Sequence, residues 1–270
     1  MCEKNYSLMR FVLTMLCGFC LCWSLQAKTY VIGIEQLDYY PHYDFKSAQP
    51  RGYFFDLMQL YSQWSGDKFV FKALPVKRLY KDSVELTDFV YPDNKAWQPH
   101  LGVDEQITKY YSAPVIYTLG ATMVLPHKQQ MRLSEFKVLA NIHGFSPTLW
   151  MELKKHSKFT ILDVPDAESA LRMTIRHRVD AANVEYNVAL YHLEQMKLPG
   201  ALVMAEHLPF SNLAFHLSSQ KHPEQIRRFN QFLIEQQDQI QQLKQRYALV
   251  EYREQLPTLP VSQQVKAEIH

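Results

Sequence analysis

The chain has no cysteine beyond Cys22: its four cysteines, Cys2, Cys17, Cys20 and Cys22, crowd into the first 22 of 270 residues. Once that segment is removed, the remainder can form no disulfide, no thiolate nucleophile and no cysteine metal site. Basic runs and glycine–arginine tracts are missing too. With a formal net charge of only +2, electrostatic attraction to nucleic acid is not indicated. No His-Glu-x-x-His, phosphate loop or serine–histidine–aspartate spacing is present, and the eleven histidines show no metal-ligand spacing. No repeat of solenoid period is visible. These absences leave a globular chain whose 47% hydrophobic content suffices for a packed core.

The first 27 residues read as a secretory signal peptide. Lys4 and Arg10 form the positive start, Phe11–Trp23 is an apolar run too short to span a bilayer comfortably, and Ala27 ends a segment suited to cleavage before Lys28. An uncleaved anchor is the alternative. A lipoprotein fits poorly, because Leu16, Phe19 and Leu21 precede the cysteines where a small residue is wanted. Removing the leader takes Lys4, Arg10 and Glu3 with it and leaves a net charge of +1.

Strand and helix signals then alternate. Thr29–Glu35 reads as a strand covered on both sides. An aromatic loop, Gln36–Pro50, carries Tyr39, Tyr40, His42, Tyr43 and Phe45. A loop of that length is either functional or a surface loop whose tyrosines pack on its own backbone. Tyr53–Ser65 is amphipathic and Gly66 ends it. Phe69–Ala73 is a strand, Pro75–Glu85 a helix, and Leu86–Tyr91 a strand stopped by Pro92-Asp93-Asn94. Val115–Tyr117 and Ala121–Leu125 read as two strands separated by Gly120. The first crossing between lobes is expected near the polar break Pro126–Gln130. A second cycle follows: strand Lys137–Ile142, a turn at His143-Gly144-Phe145, and a helix capped by Ser146 with Pro147 first. Strand Phe159–Val164, helix Ala167–Ile175, strand Asp180–Val184 ending at Glu185, helix Asn187–Met196 and strand Ala201–Ala205 complete it. Leu213–Leu217 leads back to the first lobe, and Pro223–Tyr247 reads as one long helix. The end of the chain, polar and containing Pro257 and Pro260, is expected to be disordered.

Two units of this pattern match. In each, a helix feeds a strand opened by an Asp (Asp88, Asp180), and an acid follows five residues on (Asp93, Glu185). Ligands bind at the carboxyl ends of strands in open α/β sheets, so these are expected to be two strand ends facing across a cleft; chance recurrence of a common unit is the alternative. The expected class is α/β in two lobes: lobe 1 over residues 28–119 and 206–250, lobe 2 over 120–205, and a tail over 251–270. A glycine turn opening on a helix at Gly144–Thr148 is a candidate anion site. Two carboxylates with nearby rings would favour a ligand carrying a positive group, with Tyr39, Tyr40, His42 and Trp97 as the aromatic candidates.

The chain from about residue 29 to 250 resembles the extracellular solute-binding protein family 3, the polar-amino-acid type of periplasmic binding protein. The resemblance rests on Tyr30–Glu35, Arg51-Gly52-Tyr53-Phe54-Phe55-Asp56-Leu57, Leu86–Tyr91, Tyr111-Ser112-Ala113-Pro114, Val179-Asp180-Ala181 before Glu185, and the helix from Pro223 with Phe229, Asn230 and Leu233. It implies a two-lobed periplasmic-binding-protein type II fold with two hinge crossovers. It also implies ligand contacts: Glu185 on an ammonium, Gly144, Phe145, Ser146 and Thr148 on carboxylate oxygens, and Pro92, Asp93 and Asn94 in the lobe-1 loop. One family feature is absent. Val103–Thr108 holds acids where the family has the arginine that clamps an α-carboxylate. Arg78 is a candidate substitute and Arg51 a weaker one. The resemblance implies a monomeric periplasmic protein that captures a small polar, amine-bearing or amino-acid-like solute by lobe closure, for an inner-membrane ABC permease or a receptor, without a cofactor or nucleic acid. The alternatives are a ligand-presenting sensor and an enzyme resembling the periplasmic cyclohexadienyl dehydratases, with Glu185 or His143 as acid–base groups.

Overall fold

The structure, a computed structural model, describes residues 27–98 and 108–256, the side chains of 82–84 excepted. The leader before Ala27, the segment expected to hold the family arginine as far as Ile107, and the tail beyond Leu256 lie outside the described residues. Among the described residues, no helix is long and apolar enough to cross a membrane.

Two half-sheets meet along a pair of shared strands. In the first, β1 (Thr29–Glu35) runs parallel to β4 (Lys68–Leu74) on one side and to β5 (Phe89–Asp93) on the other. In the second, β8 (Val138–Ile142) runs parallel to β9 (Thr160–Val164) and β10 (Ala181–Glu185). β7 (Ile116–Val124) and β12 (Ser211–Ser219) join them: β7 pairs β10 through Gly120–Met123, β12 pairs β5 near His216 and Ser218, and the two pair each other from Ser211↔Gly120 to Phe215↔Ile116. Two short strands add to the shared pair, β6 (Tyr110–Tyr111) on β12 and β11 (Val203–Met204) on β7. The chain therefore has a mixed α/β, two-lobed architecture with two crossover strands. The break expected at Gly120 is absent. β7 is continuous because its partners β12 and β10 take over its hydrogen bonds in succession, and a glycine there lets Ser211 sit directly opposite.

The repeated Asp has a structural explanation. Asp88 donates its N–H to Val31 O at 2.8 Å and accepts the Val31 N–H on its carboxylate at 2.8 Å. Asp180 does the same to Val138, at 3.0 and 3.0 Å, and also accepts from Lys137 N and Lys128 Nζ. Each Asp latches the entry of its strand to the neighbouring parallel strand, once per lobe. Burial raises the Asp180 pKa, but Lys128 and the two backbone donors outweigh it and hold the group below its ordinary value.

The helices cover both faces. α1 (Tyr53–Ser65) buries Phe54, Leu57, Met58 and Tyr61 and is closed by left-handed Gly66. α2 (Val76–Leu86) buries Leu79 and Tyr80. α3 (Thr148–Lys154) is shorter than its sequence suggests: Pro147 stands at its N-cap with no side-chain cap, so Ser146 does not start it. α4 (Ala167–Ile175) is capped by Asp166 through Ser169 N, and α5 (Tyr186–Gln195) by Glu185 through Val188 N. The single long helix expected from Pro223 is two, α6 (Pro223–Glu235) and α7 (Gln237–Arg246), with Gln236 out of helical geometry between them. The break redirects the buried stripe. Phe229 and Phe232 of α6 meet Tyr61 of α1 at ring distances of 4.9 and 5.0 Å, and Ile240 and Leu243 continue the buried face along α7. β5 also outruns its expected end, because Pro92 lies one residue beyond the last β1 partner, Tyr91, where no ladder N–H is required.

If the paired aspartates latch their strands, Asp88→Ala and Asp180→Ala should each cost about 1–3 kcal/mol in urea unfolding by stranding an N–H at a strand entry. Variants within about 0.5 kcal/mol of wild type, the range of an indifferent surface change, would contradict it.

Candidate functional site

A cavity of about 130 Å³ lies between the lobes, with walls from both. It is close to the roughly 150 Å³ voids that admit one benzene ring. The first-lobe wall comes from the carboxyl end of β1, from α2, and from a hairpin that fills the expected aromatic loop. That hairpin is β2 (Asp38–Tyr39) paired with β3 (Tyr43–Asp44). The loop is thus functional in position and packed in character: Tyr39, His42, Tyr43 and Phe45 are all buried. The second-lobe wall comes from the Gly144–Leu149 turn, and Asn183 and Glu185 of β10; Thr118, Gly120, Ser211, Leu213 and Phe215 of the crossover strands also line the cavity.

The chemistry centres on Glu35, the last residue of β1. It is buried, lines the cavity, and among the described residues has hydroxyls as the hydrogen-bond partners of its carboxyl oxygens. Tyr43 Oη donates to Oε2, and Tyr80 Oη lies 2.9 Å from Oε1 and 2.7 Å from Pro92 O. One hydroxyl proton cannot serve both acceptors fully, and the carbonyl can only accept. A neutral carboxyl resolves the conflict: Glu35 donates to Tyr80 Oη, which donates to Pro92 O. The energetics agree. Burial, aided by the nearby Asp93, outweighs the two hydroxyls and pushes the Glu35 pKa up to about 7. Burial and the Glu35 charge also push the Tyr43 and Tyr80 hydroxyls well above their ordinary value, so they remain neutral donors.

Glu185 also lines the cavity, but its oxygens are committed. Oε1 accepts from Asn187 Nδ2 (2.8 Å) and Leu119 N (3.3 Å), and Oε2 accepts from Val188 N (3.0 Å). His42 Nε2 reaches across from lobe 1 to 2.9 Å from Oε2. The approach lies off a hydrogen-bonding direction, and both ring nitrogens of this fully buried histidine remain without a hydrogen bond.

Eight of the residues expected at the site are together in the cavity wall: Tyr39, Pro92, Trp97, Gly144, Phe145, Ser146, Thr148 and Glu185. The others are elsewhere. Asp93 is buried against Lys109 at 2.7 Å and Ser218, so its carboxylate is neutralised inside lobe 1 rather than presented to a ligand. Asn94 is structural: its Oδ1 accepts from Ala96 N and its Nδ2 donates to Ala214 O, both at 2.8 Å. Tyr40 packs on Tyr191 at 4.5 Å and under Arg51 at 4.9 Å. His42 sits behind Glu185. Arg78 is exposed on α2 and does not line the cavity. Arg51 pairs Asp44 and donates to Tyr191 Oη. His143 is exposed beside Asp163 at 3.3 Å. Among the described residues no group of three His, Asp or Glu could hold a metal ion.

Glu35, Tyr43, Tyr80 and Phe215 were not singled out from the sequence. One signal was available. The carboxyl-end rule applied to β5 and β10 holds equally for β1, and it points at Glu35.

The raised Glu35 pKa has a consequence for stability. Between about pH 4.5, its ordinary value, and pH 7 the folded state keeps a proton that the unfolded state has lost. That stabilising contribution is complete below the unfolded pKa and disappears as pH rises through the folded one, a total of about 3 kcal/mol. Wild type should therefore lose stability relative to Glu35→Gln between pH 5 and 8 in urea unfolding. Parallel curves would contradict the assignment.

No protein-family model matches the chain, and no curated protein matches it in sequence. Solved structures do match. An arginine transport-system periplasmic binding protein from Legionella pneumophila superposes with a TM-score of 0.64 at 14% identity, over 82% of this chain and 100% of that one. The histidine-bound substrate-binding protein of an ABC uptake transporter from Streptococcus pneumoniae gives 0.65 at 15% identity, over 81% and 92%. An ancestral amino acid-binding protein, a precursor of cyclohexadienyl dehydratase, gives 0.62 at 17% identity, over 81% and 95%. The chain has the fold of the two-lobed periplasmic binding proteins.

Proposed function

We propose that this chain is a periplasmic solute-binding protein that captures one small solute between its lobes and hands it to an ABC-type permease, without chemical change. The observation that carries the reading is the cavity itself: it is walled by both lobes, and the lobes are joined by two crossover strands. Such a joint permits rigid-body opening and closing around a ligand. The likeness to binding proteins supports the reading, and so does the leader-like start of the sequence, which fits export with cleavage near Ala27. Tyr39, Trp97, Phe145, Ser146, Thr148, Glu185 and Glu35 are the proposed contacts.

A second reading is favoured by one observation. A carboxyl with a pKa near neutrality inside a cleft is also what a general acid requires. An enzyme on this scaffold would turn over prephenate or arogenate and lose that activity in Glu35→Gln. Absence of turnover in wild type separates capture from catalysis.

A thermal-shift screen of amino acids, amines and small organic acids tests capture. At a hundredfold excess over Kd, a binder should add about 2.7 kcal/mol, a rise of roughly 5–10 °C for a chain of this size. No shift across all three classes would contradict solute capture.

A further inference from the structure

Among the described residues, the cavity wall contains no lysine, arginine or histidine. A ligand carboxylate enclosed there would be a buried charge without a counter-charge, which is strongly unfavourable. The described cations nearby lie outside the cavity wall. Lys109 is 3% exposed and 2.7 Å from Asp93. Lys77, Lys81, Lys154 and Lys155 line a separate, open groove that shares only the Gly144–Pro147 turn with the cavity. Residues 99–107 contain no lysine or arginine and one histidine, His100. Within the turn, two N–H groups are already taken, Phe145 N by Ile142 O and Thr148 N by Ser146 O, and Pro147 has none.

The cavity does provide carboxyls and ring faces. Glu35 is surrounded by Tyr39 from β2, Tyr43 from β3, Tyr80 from α2, and Tyr91 and Asp93 from β5, none of them cationic. Beside it Tyr39 packs edge-on to Phe145 at 5.6 Å, and Trp97 bridges Tyr80 at 6.1 Å and Phe215 at 5.8 Å. Rings around an unpaired carboxyl are the surroundings that a compact organic cation recognises.

We propose that the cleft selects a small organic amine with an apolar body and no carboxylate, its positive group seated on Glu35 and its body between Phe145, Trp97 and Phe215. The inference rests on the solute-capture reading and names the ligand class of that same cavity. Proton balance is simple. An amine arriving neutral takes the Glu35 proton, and an ammonium arriving charged displaces that proton to solvent. Either way Glu35 is ionised in the complex, so affinity rises with pH through the range in which the free carboxyl titrates. With that range centred near 7, binding should be about tenfold weaker at pH 6 than at pH 8.

The test uses pairs of probes that differ only by the carboxylate: phenethylamine against phenylalanine, histamine against histidine, agmatine against arginine. Isothermal titration with the wild-type protein is expected to show at least one amine binding ten times or more tightly than its parent amino acid. The same amine should release protons on binding at pH 7, and the pH dependence should vanish in Glu35→Gln. Amino acids or dicarboxylates binding better than the amines would overturn the ligand class and leave solute capture standing. Silence from these pairs and from the wider screen would overturn both. Amine binding with no pH dependence in wild type would remove Glu35 from the seat, a result that does not depend on how the variant folds.

Discussion

A carboxyl buried among tyrosines, with no cation beside it among the described residues, is the constraint on which the site depends. Ionised, Glu35 would be an unpaired charge in a poorly solvated place, and several kcal/mol would be lost. Neutral, it completes a chain of hydrogen bonds from Tyr43 through the carboxyl and Tyr80 to the Pro92 carbonyl. That chain ties β1, β3, α2 and β5 together at the carboxyl end of the first half-sheet. The first-lobe wall is therefore held by a group whose charge state answers to whatever enters the cavity.

The second lobe treats its own acid differently. Glu185 occupies the corresponding strand end on β10 but is used as a helix cap, with backbone and amide donors on both oxygens. His42 and Tyr39 reach it from the first lobe. Close to it, Gly144 holds φ +94° and leaves no room for a side chain, since a Cβ there would come within 3.0 Å of Val76 on α2. Tyr39 meets Phe145 across the same boundary. The hairpin and the start of α2 thus press on the end of β10 and the glycine turn, and the cavity is the space these contacts leave between them.

Much of this was legible in the sequence. The alternation of strand and helix, the capping Asp166 and the buried stripe of α1 all follow from local chemistry, and β1, α4 and β10 fall where their patterns place them. The repeated Asp was legible as a pattern, but its meaning was not. Whether Asp88 and Asp180 face a ligand or a neighbouring strand's N–H depends on pairing, which no local signal reports. Asp93 misled for a similar reason: its partner Lys109 is sixteen residues on, and Ser218 is 125 residues on. The break at Gln236 carries no proline or glycine and is set by packing on α1. Glu35 was hidden by its position as the last residue of a well-formed strand, although the rule applied to the other strand ends covers it.

Infrared difference spectroscopy reads the central claim most directly, because a neutral carboxylic acid has a carbonyl stretch distinct from that of a carboxylate. The ligand-free protein at pH 6 should show a buried protonated-carboxyl band that is missing from Glu35→Gln and that disappears from wild type when an amine binds. Spectra of wild type and Glu35→Gln that coincide in that region would show Glu35 already ionised and would contradict the account.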